Sequence, residues 1–322
     1  ITLIDPPEGA EAAGGMEYPT LFTGGTFAFI TYWPLTQIHL ETVVTHEYGH
    51  NYWYGMVGSN EFEEPWMDEG INSFCESAVI HYQNPARQRN ELVAAGGLGS
   101  FAYNRSAYLS ALPLHDPLDR WSWRFYPGQY GVNAYERPVV MLLTLQNLMG
   151  REKFFRTLRA FYLQWRFRHP DTADFVAAFS AAGGPAVAEF LDQAIHTRAA
   201  LDFAVDAVDN SKPEPKTGLI RSSVRLSRKG TVRMPADVLF RFEDGRTVRK
   251  TWTAETRWTV YNFEGKSPLA EVILDPGTRI ALDSNLANNS WAQSPPQDYI
   301  GRWRAFFQAG VQHLLQLCTL LT

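Results

Sequence analysis

Cysteine is scarce. Cys75 and Cys318 are the only two in 322 residues, so no disulfide framework can hold this chain together. A basic excess is missing too. Lys and Arg number 29 against 34 Asp and Glu, a net charge of -5, and no nucleic-acid partner is expected from such a balance. No apolar run reaches the roughly 18 residues that a membrane-spanning helix requires. The opening segment ITLIDPPEGAEAAGG has neither the basic start nor the apolar stretch of a signal peptide. It has no initiator Met, and a fragment or processed form is expected. Internal repeats and low-complexity tracts are also lacking. What remains is a composition that folds: 45% hydrophobic, 20% charged and 14% aromatic, with 10 Trp. That supports real cores, excludes a largely disordered chain, and supplies rings for lining clefts. The length suggests two or three domains.

Along the chain, residues 1–34 read as strands and Gly-rich turns: ITLID, GGMEYPTLFTGG and TFAFITYW. From Thr36 the pattern becomes helical through ETVVTHEYGHNYWYG, and a second helix starts near Pro65 and runs to Asn84. Further helices are predicted in YERPVVMLLTLQNLMG, closed by Gly150, in REKFFRTLRAFYLQWRF, and in DTADFVAAFSAAGG, capped by Asp171 or Thr172. Segment 211–218, SKPEPKTG, has no apolar residue and reads as a linker. After it the period changes from 3.6 to 2. About six strands follow, including a hairpin turning at Glu243-Asp244-Gly245 and strands at 258–263, 270–274 and 279–282. These predict a small antiparallel sandwich. In the last 20 residues, Trp303, Phe306, Phe307, Val311, Leu314, Leu315, Cys318 and Leu321 share one helical face.

The chemistry centres on His46-Glu47-Tyr48-Gly49-His50, an H-E-x-x-H pattern within a predicted helix. Positions i and i+4 lie on one helix face. Both imidazoles can therefore meet one Zn²⁺ while Glu47 stands beside the open coordination place. A hydrolytic zinc site needs a third protein ligand. Glu69, separated from His50 by eighteen residues in Trp66-Met67-Asp68-Glu69-Gly70, sits on the next predicted helix, where a hairpin turn would return it to the metal.

With that spacing the sequence resembles the M1 family of zinc aminopeptidases, of the gluzincin group, whose pattern is H-E-x-x-H, eighteen residues, then Glu within N-E-G. Asp68 replaces the Asn here. Two further segments fit. Gly14-Gly15-Met16-Glu17-Tyr18 resembles the exopeptidase motif G-x-M-E-N, with Tyr18 in place of Asn, and implies that Glu17 holds the substrate's α-amine. An ammonium in a partly dry cleft needs such a carboxylate. Tyr135-Glu136-Arg137-Pro138 resembles Y-x-K-G and implies that Tyr135 donates to the oxyanion, with Tyr130 as the fallback.

The resemblance covers roughly residues 10–205. It implies an α+β multidomain fold: residues 1–34 as remnant strands of an N-terminal β domain carrying the exopeptidase motif, and residues 35–210 as a thermolysin-like, mostly helical catalytic domain. Residues 219–290 are then the sandwich and 291–322 a tail with an amphipathic helix. The family's long C-terminal helical domain is absent or reduced to that helix. The implied activity is hydrolysis of the N-terminal peptide bond with one zinc per chain. The alternatives are an endopeptidase or other hydrolase on the same site, and a non-catalytic binding module.

Other side chains carry less. His39, His81, His115, His169, His196 and His313 lack partner spacing and read as packing or surface residues. Ser73 and Glu76 are either groups that orient the metal ligands or plain helix-face residues. Cys75 has no ligand place left to fill. WRFRHP reads as a helix end favouring its own dipole. The C-terminal helix either folds back over apolar surface or lies in a membrane interface, and its Gln308, Gln312, His313 and Gln316 argue against spanning.

Overall fold

Seven α-helices and ten strands form an α+β architecture in a computed structural model that describes residues 1–7, 9–10, 13–25, 34–83, 101–198 and 200–294. The predicted strand TFAFITYW, residues 26–33, and the amphipathic stretch from residue 295 onward lie outside the described residues. None of the described helices is long and apolar enough to cross a membrane.

The helices are α1 Pro34–Gly49, α2 Ile71–Gln83, α3 Phe101–Ser110, α4 Arg137–Met149, α5 Arg151–Trp165, α6 Thr172–Gly183 and α7 Pro185–His196. Apolar spacing explains how they pack. In α5 the buried Phe154, Thr157, Leu158 and Phe161 fall at i, i+3, i+4 and i+7, and α7 repeats the pattern with Val187, Phe190, Leu191, Ala194 and Ile195. Helix α4 is buried on nearly every side, from Arg137 to Gln146, and so lies at the centre. Aromatic rings fill the space between helices: Phe74 stands 5.2 Å from Phe154, and Phe175 stands 4.2 Å from Phe179 and 5.2 Å from Trp66. Gly150, at φ 82°, turns the chain between α4 and α5. Asp171 caps α6 in a reciprocal box with Asp174.

Two helices begin irregularly. A single π turn, Trp66–Gly70, leads into α2, and another, Val132–Glu136, leads into α4. The two π turns pack against each other. Trp66 Nε1 donates to Thr172 Oγ1 at 3.0 Å, pinning the first to α6. Arg137 pins the second. Its guanidinium is 2% exposed and donates to Asp116 O, Asn133 Oδ1, Ala194 O and Thr197 O at 2.9, 3.1, 3.0 and 2.7 Å.

Near the N-terminus β1 Thr2–Ile4, β3 Leu21–Gly24 and β2 Gly15–Met16 form a small sheet, β1 parallel and β2 antiparallel to the central β3. It lies on α1. The remaining strands are β4 Phe203–Asn210, β5 Ile220–Arg228, β6 Ala236–Phe242, β7 Thr247–Trp252, β8 Trp258–Gly265, β9 Leu269–Leu274 and β10 Ser290–Ala292. They build two antiparallel sheets, β4-β5-β8 and β10-β9-β6-β7. Alternate residues of β5 are buried, from Ile220 to Arg228. Phe240 on one sheet reaches Tyr261 and Phe263 on the other at 5.3 and 4.8 Å.

Two expectations change here. Segment 211–218 joins β4 to β5, which pair from Phe203↔Arg228 to Asn210↔Ser222. It is a loop inside the sheet, and the sandwich strands start before it. Segment 279–282 forms no strand. Ala281 O and Leu282 O accept from Arg105 Nε and Tyr108 OH, and Leu282 N donates to Thr144 Oγ1. The helices have taken the backbone groups that a sheet would use, and this buried strap holds the sandwich to the helical body.

Candidate active site

Helix α1 ends at Gly49, yet His50 N still donates to His46 O at 3.2 Å. The helical repeat thus extends one residue further, which keeps His50 on the face of His46. Gly49 is required for packing. A Cβ there would overlap Asn72 Oδ1, and Asn72 Nδ2 donates to His46 O at 2.8 Å. Helix α2 therefore clamps the end of α1 through a contact only glycine permits.

Three ligand-type atoms converge. His46 Nε2 lies 3.0 Å from His50 Nε2 and 3.1 Å from Glu69 Oε2, and His50 Nε2 lies 3.2 Å from Glu69 Oε2. Each imidazole is backed by a carboxylate: His46 Nδ1 sits 3.1 Å from Glu76 Oε2, and His50 Nδ1 sits 2.8 Å from Asp68 Oδ1. His50 Nδ1 also faces Trp53 O at 3.3 Å. This arrangement fits a metal ion. Two nitrogens and one oxygen lie within 3.2 Å of one another in the cleft wall, and both rings are oriented from behind. The electrostatics favour positive charge as well. Burial alone lowers the pKa of both histidines. The neighbouring carboxylates outweigh burial and bring His46 up to about 9 and His50 up to about 11. Glu69 is pulled well below the ordinary range: burial opposes this, but hydrogen bonds from both rings prevail.

Glu47 is 7% exposed, and burial pushes its carboxyl up to about 7 against the pull of His46 and His50. Its Oε2 has no hydrogen-bond partner among the described residues. A nearly neutral-pKa carboxyl with a free oxygen can take and return a proton near pH 7. Tyr135, on the second π turn, donates its hydroxyl to Glu69 Oε1 at 2.6 Å, and its ring stacks on His46 at 6.0 Å. Burial and then the Glu69 charge push this phenol far up, so it stays protonated as a donor. Tyr130 lies 6.4 Å from Tyr135 ring to ring, and burial with Glu69 pushes it up to about 12.

Glu17 follows β2. One of its carboxylate oxygens lies within 4.8 Å of ligand atoms of both His50 and Asp68. Glu17, His46, Glu47, His50, Glu69 and Tyr135 line one cleft of about 400 Å³, together with Met16, Ser73 and Glu76, while the fallback Tyr130 does not line it. Cys75 stays outside the chemistry, its thiol pushed up to about 12 by burial. His196 pairs with Asp119 at 2.7 Å and His169 faces Gly58 O at 2.8 Å, away from the cleft. The WRFRHP segment leaves α5 and pairs with the loop after His50, through Gly58 N to Arg168 O at 3.0 Å.

Sequence reasoning passed over Asn72, Glu61 and Glu136. The last two also line the cleft. Asn72 had a signal: at i+3 from Glu69 it faces the same way as the ligand.

The family model described as the peptidase family M1 domain matches residues 10–194. Aminopeptidase Q of Homo sapiens is 42% identical over 50 residues, 16% of this chain and 5% of that protein. Leucine aminopeptidase 2 of Emericella nidulans is 26% identical over 183 residues, 54% of this chain and 27% of that protein. Among solved structures, Legionella pneumophila aminopeptidase A in complex with aspartic acid superposes with a TM-score of 0.57 at 16% identity, over 87% of this chain and 31% of that one. The chain thus spans under a third of the length of each.

Proposed function

The chain belongs to peptidase family M1, its family model covering residues 10–194, and on that premise we propose that it is a zinc-dependent aminopeptidase acting on peptides. His46, His50 and Glu69 are the residues that would hold zinc. Bound there, zinc supplies Lewis acidity toward a carbonyl and a water. Glu47 takes the proton of the attacking water and delivers it to the leaving amine. Tyr135 donates its hydroxyl hydrogen bond to the developing oxyanion. Glu17 pairs with the substrate's α-ammonium and sets which peptide bond reaches the catalytic groups. The same reading treats the helical part, α1 to α7, as a thermolysin-like catalytic domain, with β4 belonging to the sandwich.

The observation that carries this reading is the convergence of His46, His50 and Glu69 to within 3.2 Å, with the unpartnered Glu47 oxygen beside them. Metal analysis, followed by cleavage of a free-amine peptide and its N-acetylated twin, tests it. One zinc per chain and selective cleavage of the free peptide are expected. Equal cleavage of both would make the chain an endopeptidase. Bound zinc without turnover would make it a binding module.

A further inference from the structure

We infer that Asp68 is a positioning residue whose charge serves two cations, the metal on one side of His50 and the substrate's α-ammonium on the other; this rests on the zinc aminopeptidase reading. Asp68 is 0% exposed and stands 2.8 Å from His50 Nδ1. It precedes Glu69 on the Trp66–Gly70 π turn, so one rigid turn supplies a ligand and also orients a second ligand through the next residue. The pattern that this sequence resembles has Asn at this position. An amide can accept from the same ring nitrogen, but it brings no charge. The contact with Asp68 is a 2.8 Å ion pair, while the ring nitrogen's hydrogen bond goes to Trp53 O at 3.3 Å, and the carboxylate charge beside the ring raises its electron-donating power toward a metal.

The surroundings make the charge matter. Glu69 adjoins it, and a Glu17 oxygen lies within 4.8 Å of the Asp68 and His50 atoms. A fully buried carboxylate next to two others is costly unless cations compensate it. His50 is the one basic side chain paired with Asp68 among the described residues. The reading places two cations around this trio: a divalent metal at Glu69 and an ammonium at Glu17. Because Asp68 itself is 0% exposed, each would feel its charge as well as that of its own carboxylate.

The test is Asp68→Asn, which keeps shape and removes charge. In the full chain, zinc affinity measured against a chromogenic chelator should fall about 10–100-fold. With zinc saturating, KM for a free-amine peptide should rise severalfold, more than kcat falls. Circular dichroism establishes that the variant is folded. A folded variant with unchanged zinc affinity overturns the inference, and weakened affinity with unchanged KM overturns its ammonium half. A second measurement needs no variant. In the zinc-loaded parent chain the His50 Nδ1 proton should give a strongly downfield imidazole resonance, as expected for a bond to a carboxylate. Its absence there would also overturn the inference. A parent chain that binds no zinc defeats the aminopeptidase reading instead, so the two failures are told apart.

Discussion

Gly15 and Glu47 meet across the cleft so closely that nothing fits between them: a Cβ on residue 15 would stand 2.6 Å from Glu47 Oε1 and 3.3 Å from Val43 Cγ1. Gly15 lies in β2, paired with Gly24. The edge of the small sheet is thus held against the carboxylate proposed as the base.

Replacing that glycine should therefore disturb catalysis without touching a ligand. In Gly15→Ala the added methyl must displace Glu47 or the strand. A shift of about 1 Å commonly costs 10²-fold in turnover. Zinc content should remain one per chain. Native turnover in Gly15→Ala would show that the strand yields and the base does not.

Glu47→Gln should keep zinc and lose turnover by about 10²–10⁴. The amide is close in shape but cannot accept the water's proton. Metal analysis beside steady-state kinetics reads both halves, and a variant with near-native kcat would assign the base elsewhere.

The ligands behave differently. His46→Ala or Glu69→Ala removes one of the three atoms that meet at 3.1 Å, and each variant should purify with little zinc. Elemental analysis decides this, since full zinc retention in both would remove the assignment.

Tyr135→Phe deletes the hydroxyl bonded to Glu69 at 2.6 Å. Its expected role is confined to the transition state, so kcat should drop about 10²–10³-fold with KM little changed. An effect on KM alone would mean substrate binding. If Tyr135→Phe is neutral and Tyr130→Phe is impaired, the donor is Tyr130.

Arg137 should matter for stability. Arg137→Met leaves four acceptors, Asp116 O, Asn133 Oδ1, Ala194 O and Thr197 O, without their donor. A single buried unsatisfied group costs about 1–3 kcal/mol, so a loss of roughly 3 kcal/mol or more in urea unfolding is expected. A change below about 1 kcal/mol would mean that water replaces the guanidinium.

What the sequence shows of this molecule follows from what spacing can encode. His46 and His50 are four apart on a helix, so their common face is readable, and Glu69 follows at a recognisable distance. The strands at 258–263 and 270–274 are readable because alternate residues point the same way. Other features depend on contacts between distant segments. Strand β4 is hidden by the polar loop that follows it, and its place is set by pairing with β5. Segment 279–282 has the composition of a strand, but Arg105, Tyr108 and Thr144 claim its backbone groups. Asp68 looks like a conservative change from Asn until His50 Nδ1 is seen 2.8 Å away. Arg137 looks like a surface cation at the start of a helix, yet its side chain is buried among carbonyls.

The paired π turns restrict how chain length can vary. Glu69 and Tyr135 each ride a turn that is one residue wider than a regular helix, and Gly70 on the first fits against Ala134 O of the second and Pro138 just after it. Deleting one residue from either turn would restore a regular helix and a better local ladder. It would also rotate what lies on one side of the deletion by about 100° relative to the other, carrying the carboxylate or the phenol away from its partner. Insertions and deletions can therefore accumulate in the loops of this fold, while these two five-residue windows must keep their length together.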